Sequence, residues 1–522
     1  MAQQATLEQG RDVREVPIAD WLSAAARRDP RKVYISDVGS GRELTYGEVA
    51  ERVNRLAHAL DAAGIKKGDR IALWAFDSHR FLETMWASMK IGALFVPLNT
   101  RLTEGEVTNF LRVTEPSILF VSDDMAKSAH EIAAGIDSIA RVVDFDDVDD
   151  FEGLVASGSA SEFRVQVLDS DPIGLAFTSG TTGLPKQVIQ TQRMLKWICV
   201  TIATGWQIGV EESLYTGISL FHISGLAVSV TGAYLADTVY LAPSFRPDAV
   251  VDLLERGEVT TLLLVPSMVA MVVEKARGRG PFTGLRRIHY GAAAMPIPVL
   301  RSAVDLFGCE FVQTFGAGTE SGGTTFLSSY DHVKALDGSP HILKSVGRPG
   351  PGVEVRICDD SWNDIPTGEV GEVVLRCDQI MAGYVNQPEE TANAVNEDGW
   401  FRAGDLGYRD EEGYIYLVDR KSNMIIRGGE NIYPVDIEQV IYEYPGVAEC
   451  AVVAGPHEIL GEVPVGHVVM QPGVPTPTGD ELRDFCAARL ADFKVPRTWR
   501  FHDALPKNAT GKILKRELKQ QL

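Results

Sequence analysis

The chain has 522 residues, of which 45% are hydrophobic and 23% charged, which is the composition of a folded globular protein rather than of a disordered or fibrous one. Its length suggests about three folding units of roughly 150 residues each. The 50 basic and 71 acidic residues give a formal charge of −21, which disfavours nucleic acid and anionic membranes as partners but leaves room for small polyanions at local sites.

Neither the start of the chain nor its most apolar run predicts a targeting or membrane segment. The first residues, MAQQATLEQGRDVREVP, are acidic and polar where a signal peptide needs a basic stretch followed by an apolar one, so secretion is not expected. The run LLLVPSMVAMVV at 262–273 is shorter than a span of about 20 residues and contains Pro266, so it is predicted to be buried core. The six cysteines are dispersed without a Cys-x-x-Cys spacing, which favours reduced thiols in a cytoplasmic protein and argues against structural zinc.

The first part of the chain alternates helical and strand patterns. In GEVAERVNRLAHALDAAG, Val49, Val53, Leu56 and Leu60 fall on one helical stripe, and DRIALWAF follows as a predicted strand. FLETMWASMKIGA and EGEVTNFLRVTE have helical patterns, whereas LFVPLN and SILFVSD are extended. This order is typical of βαβ units with a mostly parallel sheet, so an α/β architecture is predicted. The acidic run DFDDVDDFEG is predicted to be an exposed loop.

The pattern changes after about Gly368. Short strands and turns punctuated by Gly, Asp and Asn follow, as in GEVVLRC, GYVNQPEE and DGWFRAGDLGYRDEEGYIYLVDR, and they predict hairpins. Towards the C-terminus, DIEQVIYEYPGVAECAVVAG predicts a helix and then a strand, and ELRDFCAARLADF predicts a helix. A second, smaller domain is expected there.

A glycine- and hydroxyl-rich loop, TSGTTGLPK, follows the apolar strand GLAF. Backbone N–H groups at glycines form concavities that suit phosphate oxygens, while hydroxyls and a lysine add hydrogen bonds and a charge. The spacing fits neither the Gly-x4-Gly-Lys-Ser/Thr nucleotide loop nor the Gly-x-Gly-x-x-Gly dinucleotide fingerprint. These residues alone leave a phosphate cradle and an ordinary hydroxyl-rich surface turn both open. The candidate phosphate-binding residues are Thr178, Ser179, Gly180, Thr181, Thr182, Gly183 and Lys186.

The loop closely resembles the phosphate-loop signature of the adenylate-forming (ANL) superfamily, which comprises acyl-CoA and aryl-CoA synthetases (AMP-dependent synthetases and ligases), luciferases and peptide-synthetase adenylation domains. Segments similar to the family's other signatures follow in the family's order and span nearly the whole chain. They are LTYGEVAERVNRLAHAL and GALFVPLNTRLTEGEV before the loop, and SLFHISGL, HYGAAAMP, FVQTFGAGTESGG, GWFRAGDLGYRDEEGYIYLVDR, SNMIIRGGENIYPVDIE and LPKNATGKILKREL after it. On these ordered matches the chain is identified as a member of the superfamily.

The resemblance implies a fold and a reaction. The fold is α/β, with a large N-terminal adenylation domain at 1–420, made of α/β subdomains and a small β subdomain, and a smaller mobile α+β C-terminal domain at 421–522. The reaction joins a carboxylate to ATP, giving acyl-AMP and pyrophosphate, and a thiol then displaces AMP. Because a weak nucleophile must approach a polyanion, charge neutralisation and in-line positioning carry the first half. ATP, Mg²⁺ and CoA are therefore expected.

Five residues match catalytic or nucleotide-binding positions of the family. Glu320 corresponds to the magnesium ligand, a role that suits a carboxylate beside phosphate and water, and Thr319 to the residue near the α-phosphate. Asp405 and Arg420 correspond to the two ribose contacts. Lys512 corresponds to the lysine that reaches the carboxylate and the α-phosphate during adenylation. In isolation Glu320 and Lys512 would be solvated surface charges and Asp405 a turn cap, but the surrounding motifs favour the functional roles.

The resemblance also implies the positions of the other subsites. The residues expected around adenine are Ala292, Ala293, Phe315 and Gly316. The residues expected at the acyl pocket, which the small side chains suggest is roomy and largely apolar, are His222, Gly225, Gly291 and Ala294. The residues expected along the CoA tunnel are Gly428 and Gly429. His222 is expected to gate the passage between carboxylate and thiol, with a satisfied, partly buried histidine as the alternative.

Four features depart from the family's pattern. Gln187 follows Lys186 where glycine is usual, and Gln192 occupies a place often held by histidine. In QTFGAGTE one residue more than usual precedes Thr-Glu, which leaves open whether Phe315 stacks on adenine or the loop shifts to put Gly316 or Ala317 there. Ser422 stands at the hinge position, where Asp or Lys is more common; serine does not forbid rotation of the C-terminal domain.

Four functions are open at this stage. The leading one is a CoA ligase of apolar or aromatic carboxylic acids. The second is an acyl-AMP ligase that passes the acyl group to a carrier protein or a partner enzyme. A luciferase-like oxygenase shares the motifs, and a nucleotide-binding scaffold without catalysis is disfavoured because the matched functional residues are all present. The sequence fixes neither the acid nor the oligomeric state.

Overall fold

The computed structural model describes residues 15–178, 186–293, 295–428, 430–507 and 513–522. These residues form two compact units. Unit 1 comprises the described residues up to Glu354 together with Arg376–Asn393, and unit 2 comprises Val355–Leu375 together with the described residues from Ala394 onwards. The predicted α/β class is confirmed, because helices and strands alternate through most of the chain.

The elements have the following bounds. The α-helices are α1 (Ala19–Arg28), α2 (Tyr46–Ala62), α3 (His79–Ile91), α4 (Glu104–Thr114), α5 (Asp123–Ala133), α6 (Val148–Ser157), α7 (Gln192–Gly205), α8 (Ile223–Leu235), α9 (Pro247–Glu255), α10 (Pro266–Ala276), α11 (Ile297–Phe307), α12 (Ser329–Leu336), α13 (Pro388–Ala394), α14 (Pro434–Tyr442), α15 (Gly479–Ala487) and α16 (Lys515–Gln520). The strands are β1 (Val33–Asp37), β2 (Arg42–Thr45), β3 (Arg70–Trp74), β4 (Leu94–Pro97), β5 (Ile118–Val121), β6 (Arg141–Asp144), β7 (Pro172–Phe177), β8 (Gln187–Thr191), β9 (Ser213–Thr216), β10 (Thr238–Leu241), β11 (Thr261–Leu264), β12 (Arg287–Gly291), β13 (Glu310–Phe315), β14 (Thr325–Leu327), β15 (Arg348–Pro349), β16 (Glu354–Cys358), β17 (Gly371–Arg376), β18 (Gly383–Tyr384), β19 (Phe401–Arg409), β20 (Ile415–Arg420), β21 (Ile425–Arg427), β22 (Glu430–Ile432), β23 (Val447–His457), β24 (Gly461–Met470) and β25 (Thr498–Phe501).

Unit 1 is built on two mostly parallel sheets. The seven-stranded sheet has the order β18-β8-β7-β4-β3-β5-β6, in which β7, β4, β3, β5 and β6 run parallel. The nine-stranded sheet has the order β15-β14-β13-β12-β11-β9-β10-β1-β2, and its central strands from β13 to β1 are also parallel. The predicted βαβ alternation is thus confirmed. Ligands of such sheets bind beyond the carboxyl ends of the strands. Predicted site residues lie at or directly after these ends of β7, β12 and β13.

The helices of unit 1 form where the sequence supplies both caps and an apolar stripe. Helix α2 begins with a capping box, in which the Thr45 side chain accepts from the Glu48 N–H and the Glu48 carboxylate accepts from the Thr45 N–H. The predicted stripe on α2, which is Val49, Val53, Leu56 and Leu60, is buried. Helix α4 begins with the same device at Thr103 and Glu106.

The acidic run DFDDVDDFEG is not the loop that its charge predicted. It contains the end of β6 and the first two turns of α6. The Asp147 side chain accepts hydrogen bonds from the N–H groups of Asp149 and Asp150, so it caps the helix. The carboxylates of the first turn also lie at the positive end of the helix dipole, which stabilises them there.

The apolar run at 262–273 forms strand β11 and most of helix α10, and its prediction as core is confirmed. Leu262 and Leu264 are fully buried, and Pro266 is the first residue of α10, where its missing N–H costs nothing. No helix within the described ranges is long and apolar enough to cross a membrane.

Unit 2 contains two smaller sheets. A four-stranded antiparallel sheet has the order β16-β17-β19-β20, and its core includes Val374 and Trp400. A five-stranded sheet has the order β22-β21-β24-β23 with β25 paired to β24, and helices α14 and α15 pack on it through Ile437, Ile441 and Leu482. The hairpins and the C-terminal helix and strand pairs predicted from the sequence are present. All six cysteines are free thiols.

Candidate active site

The glycine- and hydroxyl-rich loop connects two antiparallel strands. Strand β7 ends at Phe177, strand β8 begins at Gln187, and these two residues are paired in register. The base of the loop is closed by two hydrogen bonds: the Thr178 N–H donates to the Lys186 carbonyl oxygen at 3.0 Å, and the Lys186 N–H donates to Thr178 Oγ1 at 3.2 Å. The loop therefore leaves the seven-stranded sheet at the carboxyl end of a parallel strand, and Lys186 is held at its exit.

The Lys186 ammonium has two partners in unit 1. Its Nζ lies 2.5 Å from Glu390 Oε2 and 4.7 Å from the centroid of the Tyr384 ring. Tyr384 belongs to β18, which pairs antiparallel with β8, and Tyr384 is in register with Val188. Strand pairing thus brings the ring beside the lysine that precedes β8.

Glu320 lies on the other side of the same tyrosine. The Tyr384 hydroxyl donates to Glu320 Oε1 at 3.3 Å, and the Thr319 hydroxyl donates to Glu320 Oε2 at 2.8 Å. Burial first, and then the carboxylates of Glu320 and Glu390, raise the pKa of the Tyr384 hydroxyl, so it remains a proton donor at neutral pH. Lys186, Tyr384, Thr319 and Glu320 therefore form one cluster of complementary groups.

Backbone contacts fix the turn that carries Thr319 and Glu320. These residues form a single 3₁₀ turn at Gly318–Glu320. The Met381 N–H donates to the Glu320 carbonyl oxygen at 2.9 Å, and the Gln379 amide donates to two further carbonyls just beyond the turn. The segment that leads into β18 therefore holds the turn against the sheet.

The residue inserted before Thr319 is accommodated by a tight backbone turn. Phe315 is the last residue of β13, and its carbonyl oxygen accepts from the Thr324 N–H at 2.8 Å. A Cβ atom on Gly316 would lie 1.7 Å from the Gly322 carbonyl oxygen, so only glycine fits. Phe315 and Gly316 are both partly exposed, and neither is singled out by the fold as the partner of a base.

His222 is the N-cap residue of helix α8 and is partly buried. Burial and the nearby charge of Arg101 lower its pKa to about 4, so its imidazole is neutral at pH 7. The loop before it is anchored by Asp77, whose Oδ1 accepts from the Leu220 N–H at 3.0 Å. A Cβ atom on Gly225 would lie 2.3 Å from the Ile218 carbonyl oxygen, so the close approach of helix and loop requires glycine there.

The backbone at the end of β12 also restricts which residues fit, here at Gly291 and Ala292. A Cβ atom on Gly291 would lie 2.6 Å from the Thr314 carbonyl oxygen on the neighbouring strand β13. Ala292 has φ of 66°, a left-handed conformation that is strained for a residue with a side chain and that concentrates at functional sites. Ala293 is exposed beside it. Small residues are needed here by the backbone itself, whatever cavity they border.

A buried aromatic pair lies on the strand that leads to Gly291. His289 on β12 stacks on Trp206 with ring centroids 4.3 Å apart and an interplanar angle of 14°. The Trp206 indole donates to Thr314 Oγ1 at 2.6 Å. Neither ring nitrogen of His289 has a hydrogen-bond partner within the described part of the chain, and burial holds its pKa well below the usual value.

Asp405 and Arg420 form an ion pair in unit 2. They are opposite each other on the antiparallel strands β19 and β20, and Arg420 Nε lies 2.8 Å from Asp405 Oδ1. The Asp405 side chain is 7% exposed and that of Arg420 43% exposed. The pair thus consists of a buried carboxylate and a guanidinium that reaches the surface. This arrangement suits hydrogen bonding to a polar ligand at the surface.

The segment after Arg420 is a short 3₁₀ turn at Lys421–Asn423. Lys421 Nζ donates to Asp360 Oδ1 at 2.6 Å and to Glu372 Oε2 at 3.0 Å, while Asn423 donates to Asp419 Oδ1 at 3.0 Å. Ser422 between them is exposed. Its two neighbours are thus tethered, and the predicted hinge residue carries no tether of its own in the described structure.

Gly428 lies in the hairpin between β21 and β22. Its φ of 59° is left-handed, and its N–H donates to the Leu460 carbonyl oxygen at 2.9 Å. Glycine adopts this conformation without strain. The other predicted site residues lie outside the described residues: Ser179, Gly180, Thr181, Thr182, Gly183, Ala294, Gly429 and Lys512.

The two glutamines that depart from the family pattern are both buried. The Gln192 side chain accepts from the Ile18 N–H at 3.1 Å and so ties helix α7 to the segment before α1. Gln187 borders a cavity of about 180 Å³, and the other lining residues are Asn109, Phe110, Val113, Phe177, Val385, Asn386 and Gln387. Gln192 therefore has a packing role away from the loop, whereas Gln187 lies at its base.

The fold matches that of solved adenylate-forming enzymes. The solved structure of o-succinylbenzoate CoA synthetase from Bacillus subtilis in complex with its acyl-adenylate intermediate superposes with a TM-score of 0.84 at 28% identity, covering 97% of this chain and 98% of that one. The AMP-binding enzyme model matches residues 22–385, and the model of the AMP-binding enzyme C-terminal domain matches residues 436–512. The chain belongs to the AMP-binding enzyme family, and the resemblance found in its motifs is confirmed.

Two curated relatives match over nearly their full length. A feruloyl-CoA synthase of Amycolatopsis sp is 35% identical over 511 residues, which cover 98% of this chain and 100% of that protein. A fatty acid–[acyl-carrier-protein] ligase of Streptomyces coeruleorubidus is 35% identical over 500 residues, which cover 92% of each. Both are ligases that activate carboxylic acids, and they differ in the acceptor that their names give.

Sequence reasoning missed three residues that the structure places among the candidates. Tyr384 joins Lys186 to Glu320 across 64 residues of sequence, and Asp77 holds the His222 loop across 143. Asp419 accepts from Asn423 and from the Val435 N–H, and so clips the segment after Arg420. The Gly-Tyr pair in MAGYVNQP was the one local signal for Tyr384, because a glycine before an aromatic residue is typical of a close backbone approach.

Proposed function

We propose that this protein activates a carboxylic acid with ATP, forming acyl-AMP and pyrophosphate, and then transfers the acyl group to CoA with release of AMP. The observation that carries the proposal is the meeting of Lys186 and Glu320 at one end of the seven-stranded sheet, on two sides of Tyr384. A cation for phosphate and a carboxylate for a metal ion are the two charges that adenylation requires. The chain is accordingly an enzyme, an AMP-forming acid–thiol ligase.

Lys186 is proposed to bind the phosphates of ATP together with the loop that it closes. Its present partner Glu390 is 52% exposed, and an exposed ion pair contributes only about 0 to 1 kcal/mol. Exchanging Glu390 for a polyanionic phosphate therefore costs little. The hydroxyls and glycines of Thr178 to Gly183 are proposed to provide the remaining donors.

The donor chemistry at Glu320 fits Mg²⁺. Glu320 is partly exposed and offers hard carboxylate oxygens, and no group of three or more His, Cys, Asp or Glu in the described ranges forms a complete metal cage. A single carboxylate that shares the ion with phosphate and water is the usual arrangement for Mg²⁺. When bound, the ion supplies charge neutralisation at the phosphates. Glu320 and Thr319 hold and orient the nucleotide, with the Thr319 hydroxyl proposed to face the α-phosphate.

The nucleoside and the attacking carboxylate are assigned to other residues that match the family's motifs. Asp405, supported by Arg420, is proposed to accept hydrogen bonds from both ribose hydroxyls. Adenine is proposed to lie against the segments at 292–293 and 315–316. Lys512 is proposed to reach the carboxylate and the α-phosphate while the acid attacks.

The acyl pocket is proposed to lie by His222, Gly225 and the end of β12. Because the pKa of His222 is about 4, the residue is neutral under physiological conditions and gates the thiol passage by its shape and hydrogen bonding rather than by charge. The relatives include synthetases named for feruloyl and o-succinylbenzoate groups. We therefore propose an aromatic or apolar carboxylic acid as substrate, with the reduced thiols pointing to a cytoplasmic enzyme.

The C-terminal residues 421–522 are proposed to rotate as a mobile domain about Ser422, against an adenylation domain at 1–420. The exposed Ser422 lies between two tethered neighbours, which suits a position where a few backbone dihedrals change. Gly428, with Gly429, is proposed to line the pantetheine tunnel for thioester formation. Gly428 has a left-handed φ, which allows a tight turn in that hairpin, and as a glycine it has no side chain to obstruct the tunnel.

A carrier protein is the second candidate for the acyl acceptor. It is favoured by the fatty acid–[acyl-carrier-protein] ligase among the relatives. Free CoA and a pantetheinylated carrier present the same thiol arm, so the tunnel residues serve either acceptor. The choice between them is decided by the protein surface that meets the rest of the acceptor.

A panel of carboxylic acids of varied chain length and ring content tests the proposal. Pyrophosphate release and thioester formation are scored separately, with CoA and with a pantetheinylated carrier protein as acceptors. We expect acid-dependent pyrophosphate release that is largest with an aromatic acid, followed by a CoA thioester. Glu320→Gln is expected to reduce pyrophosphate release at least tenfold, because the substitution removes the negative charge and replaces one carboxylate oxygen by an amide group. The substitution of the exposed Glu397 by Gln serves as the control. Release that does not depend on any acid contradicts the proposal.

A further inference from the structure

Tyr384 touches both charged groups that the proposed function assigns to ATP. Its ring face lies under the Lys186 ammonium, 4.7 Å from the centroid, and its hydroxyl donates to Glu320 at 3.3 Å. The side chain is 8% exposed, so both contacts lie largely away from solvent.

The backbone holds the tyrosine in one place. Strand β18 is only Gly383–Tyr384, but it pairs with Ile189 and Val188 of β8. The Tyr384 N–H donates to Thr391 Oγ1 at 2.9 Å. A Cβ atom on Gly383 would lie 2.8 Å from Thr391 Cγ2, so the chain passes close to helix α13 and has little room to shift. The tyrosine is therefore held next to strand β8, which Lys186 directly precedes.

Resting on the proposed function, we propose that Tyr384 is a positioning residue of the adenylation step, which holds Glu320 through its hydroxyl and Lys186 through its ring. A direct ion pair between Lys186 and Glu320 would compete with ATP and its metal ion for both groups. Tyr384 instead gives each group a neutral contact to one fixed side chain, which positions the two charges without neutralising them. The exposed pair of Lys186 with Glu390 is weak enough for phosphate to replace it.

The two contacts are separated by two substitutions. Tyr384→Phe removes the hydroxyl and keeps the ring, so Glu320 loses a donor while Lys186 keeps its aromatic face. Tyr384→Leu removes both contacts. The matched control is Tyr442→Phe in unit 2, where a half-exposed tyrosine hydroxyl accepts from the Cys450 N–H and touches no residue assigned to the site.

The measurement is ATP binding by isothermal titration calorimetry, without metal and with Mg²⁺, on the full chain. For Tyr384→Phe we expect unchanged affinity for metal-free ATP, but an enhancement by Mg²⁺ that is about fivefold smaller than in wild type, because Glu320 is less well placed. For Tyr384→Leu we expect the same loss and, in addition, about threefold weaker binding of metal-free ATP, because the lysine contact is gone. Tyr442→Phe is expected to match wild type in both titrations.

Several outcomes overturn the inference. If Tyr384→Phe shows the wild-type enhancement by Mg²⁺, the hydroxyl does not position Glu320. If Tyr384→Leu binds metal-free ATP as tightly as Tyr384→Phe, the ring does not position Lys186. Thermal unfolding of each variant identifies a folding defect, and an ATP affinity that falls only in step with the folded fraction also contradicts a positioning role.

The proposed function fails by a different measurement. If wild type binds ATP and the variants show the expected pattern, yet no carboxylic acid supports pyrophosphate exchange, the adenylation reaction is wrong while the role of Tyr384 at the ATP site holds. If pyrophosphate exchange occurs but the variants do not show the expected pattern of ATP binding, the proposed reaction holds and the positioning role of Tyr384 is wrong.

Discussion

At the scale of single residues, Asp77 shows how a side chain distant in sequence anchors the loop before His222. It is buried, and its carboxylate accepts from the Leu220 N–H two residues before His222. Burial raises its pKa to about 7, although the hydrogen bonds from Leu220 and Ser219 oppose the rise. The folded chain therefore prefers the protonated carboxyl, so its contribution to stability is present below pH 4 and declines as the pH rises towards 7.

Asp77→Asn should remove that pH dependence. An amide cannot ionise, so the wild-type free energy of unfolding should fall relative to that of the variant by up to about 1.4 kcal/mol per pH unit between about pH 4 and 7. Urea unfolding of both proteins across this range measures the difference, and the exposed Asp124→Asn is the control. A difference that stays constant from pH 4 to 7 would show that Asp77 does not titrate in this window.

Residues whose role depends on contacts with distant parts of the chain could not be predicted from the sequence. The motif residues Glu320, Asp405 and Arg420 could be named from their neighbours in the chain, because each belongs to a local signature. The coupling of Lys186 to Glu390 spans 204 residues, and a contact of that separation leaves no periodic or compositional trace. The small residues Gly225 and Gly291 were predicted from an expected pocket, whereas the structure gives a backbone reason for each of them.

At the scale of elements, the turn between β13 and β14 sets the position of Thr319 and Glu320. Gly316 packs on the returning backbone at Gly322, and the Ala317 N–H donates to Ser321 Oγ at 3.0 Å. The extra residue in this motif is therefore absorbed by a compact turn, and the spacing from β13 to Glu320 depends on the missing side chain of Gly316.

Gly316→Ala should disrupt this turn. Its Cβ atom would overlap the Gly322 carbonyl, so we expect a loss of about 2 to 3 kcal/mol in the free energy of unfolding and a large fall in pyrophosphate exchange. Gly105→Ala in helix α4, where a Cβ atom meets nothing within 4 Å, should instead stabilise by about 0.5 to 1 kcal/mol. Equal effects of the two substitutions on stability would contradict the packing argument.

The short element at Lys421–Asn423 carries the hinge proposal. Ser422→Pro fixes φ at this position, and we expect it to slow thioester formation by about tenfold or more while pyrophosphate exchange changes little. Ser422→Ala, which keeps backbone freedom, should leave both half-reactions near wild type. The two half-reactions are followed separately by exchange of labelled pyrophosphate and by thioester formation; equal losses in both for the proline variant would refute the hinge.

Most elements were predictable because their patterns are local. The alternation from α2 to β5 follows from apolar residues at helical and strand spacing, and the structure has each element within a few residues of its prediction. The acidic run at 144–153 was mispredicted because charge was weighed and capping was not, although an aspartate before two further acids is typical of a helix start. Strand β18 lies in GYVNQPEE, whose composition predicts a short strand and turn, but its pairing with β8 could not be predicted, since that pairing is set by tertiary contacts.

At the scale of the whole molecule, two half-reactions are linked by the acyl-adenylate, which the first forms and the second consumes. The proposed function assigns the adenylation half to Lys186, Thr319, Glu320, Asp405, Arg420 and Lys512. The thiol half is assigned to the hairpin at Gly428. This assignment predicts that a single substitution can impair one half-reaction and spare the other.

Lys512→Ala should abolish adenylation and spare the second half. We expect acid-dependent pyrophosphate exchange to fall at least a hundredfold, because the cation that draws the carboxylate to the α-phosphate is lost, whereas transfer from a supplied acyl-adenylate to CoA persists. Lys519→Ala, which removes an exposed pair with Glu462, is the control. A Lys512→Ala enzyme that adenylates at nearly the wild-type rate would show that this lysine is wrongly assigned.

The most direct test of the proposed chemistry follows an oxygen atom. An aromatic acid carrying oxygen-18 in its carboxylate is incubated with the enzyme, ATP, Mg²⁺ and CoA, and the products are analysed by mass spectrometry. If the carboxylate attacks the α-phosphate, one labelled oxygen appears in AMP and the other stays in the acyl-CoA carbonyl, with none in pyrophosphate. Label in inorganic phosphate accompanied by ADP, or unlabelled AMP, would contradict an acyl-AMP intermediate and with it the proposed function.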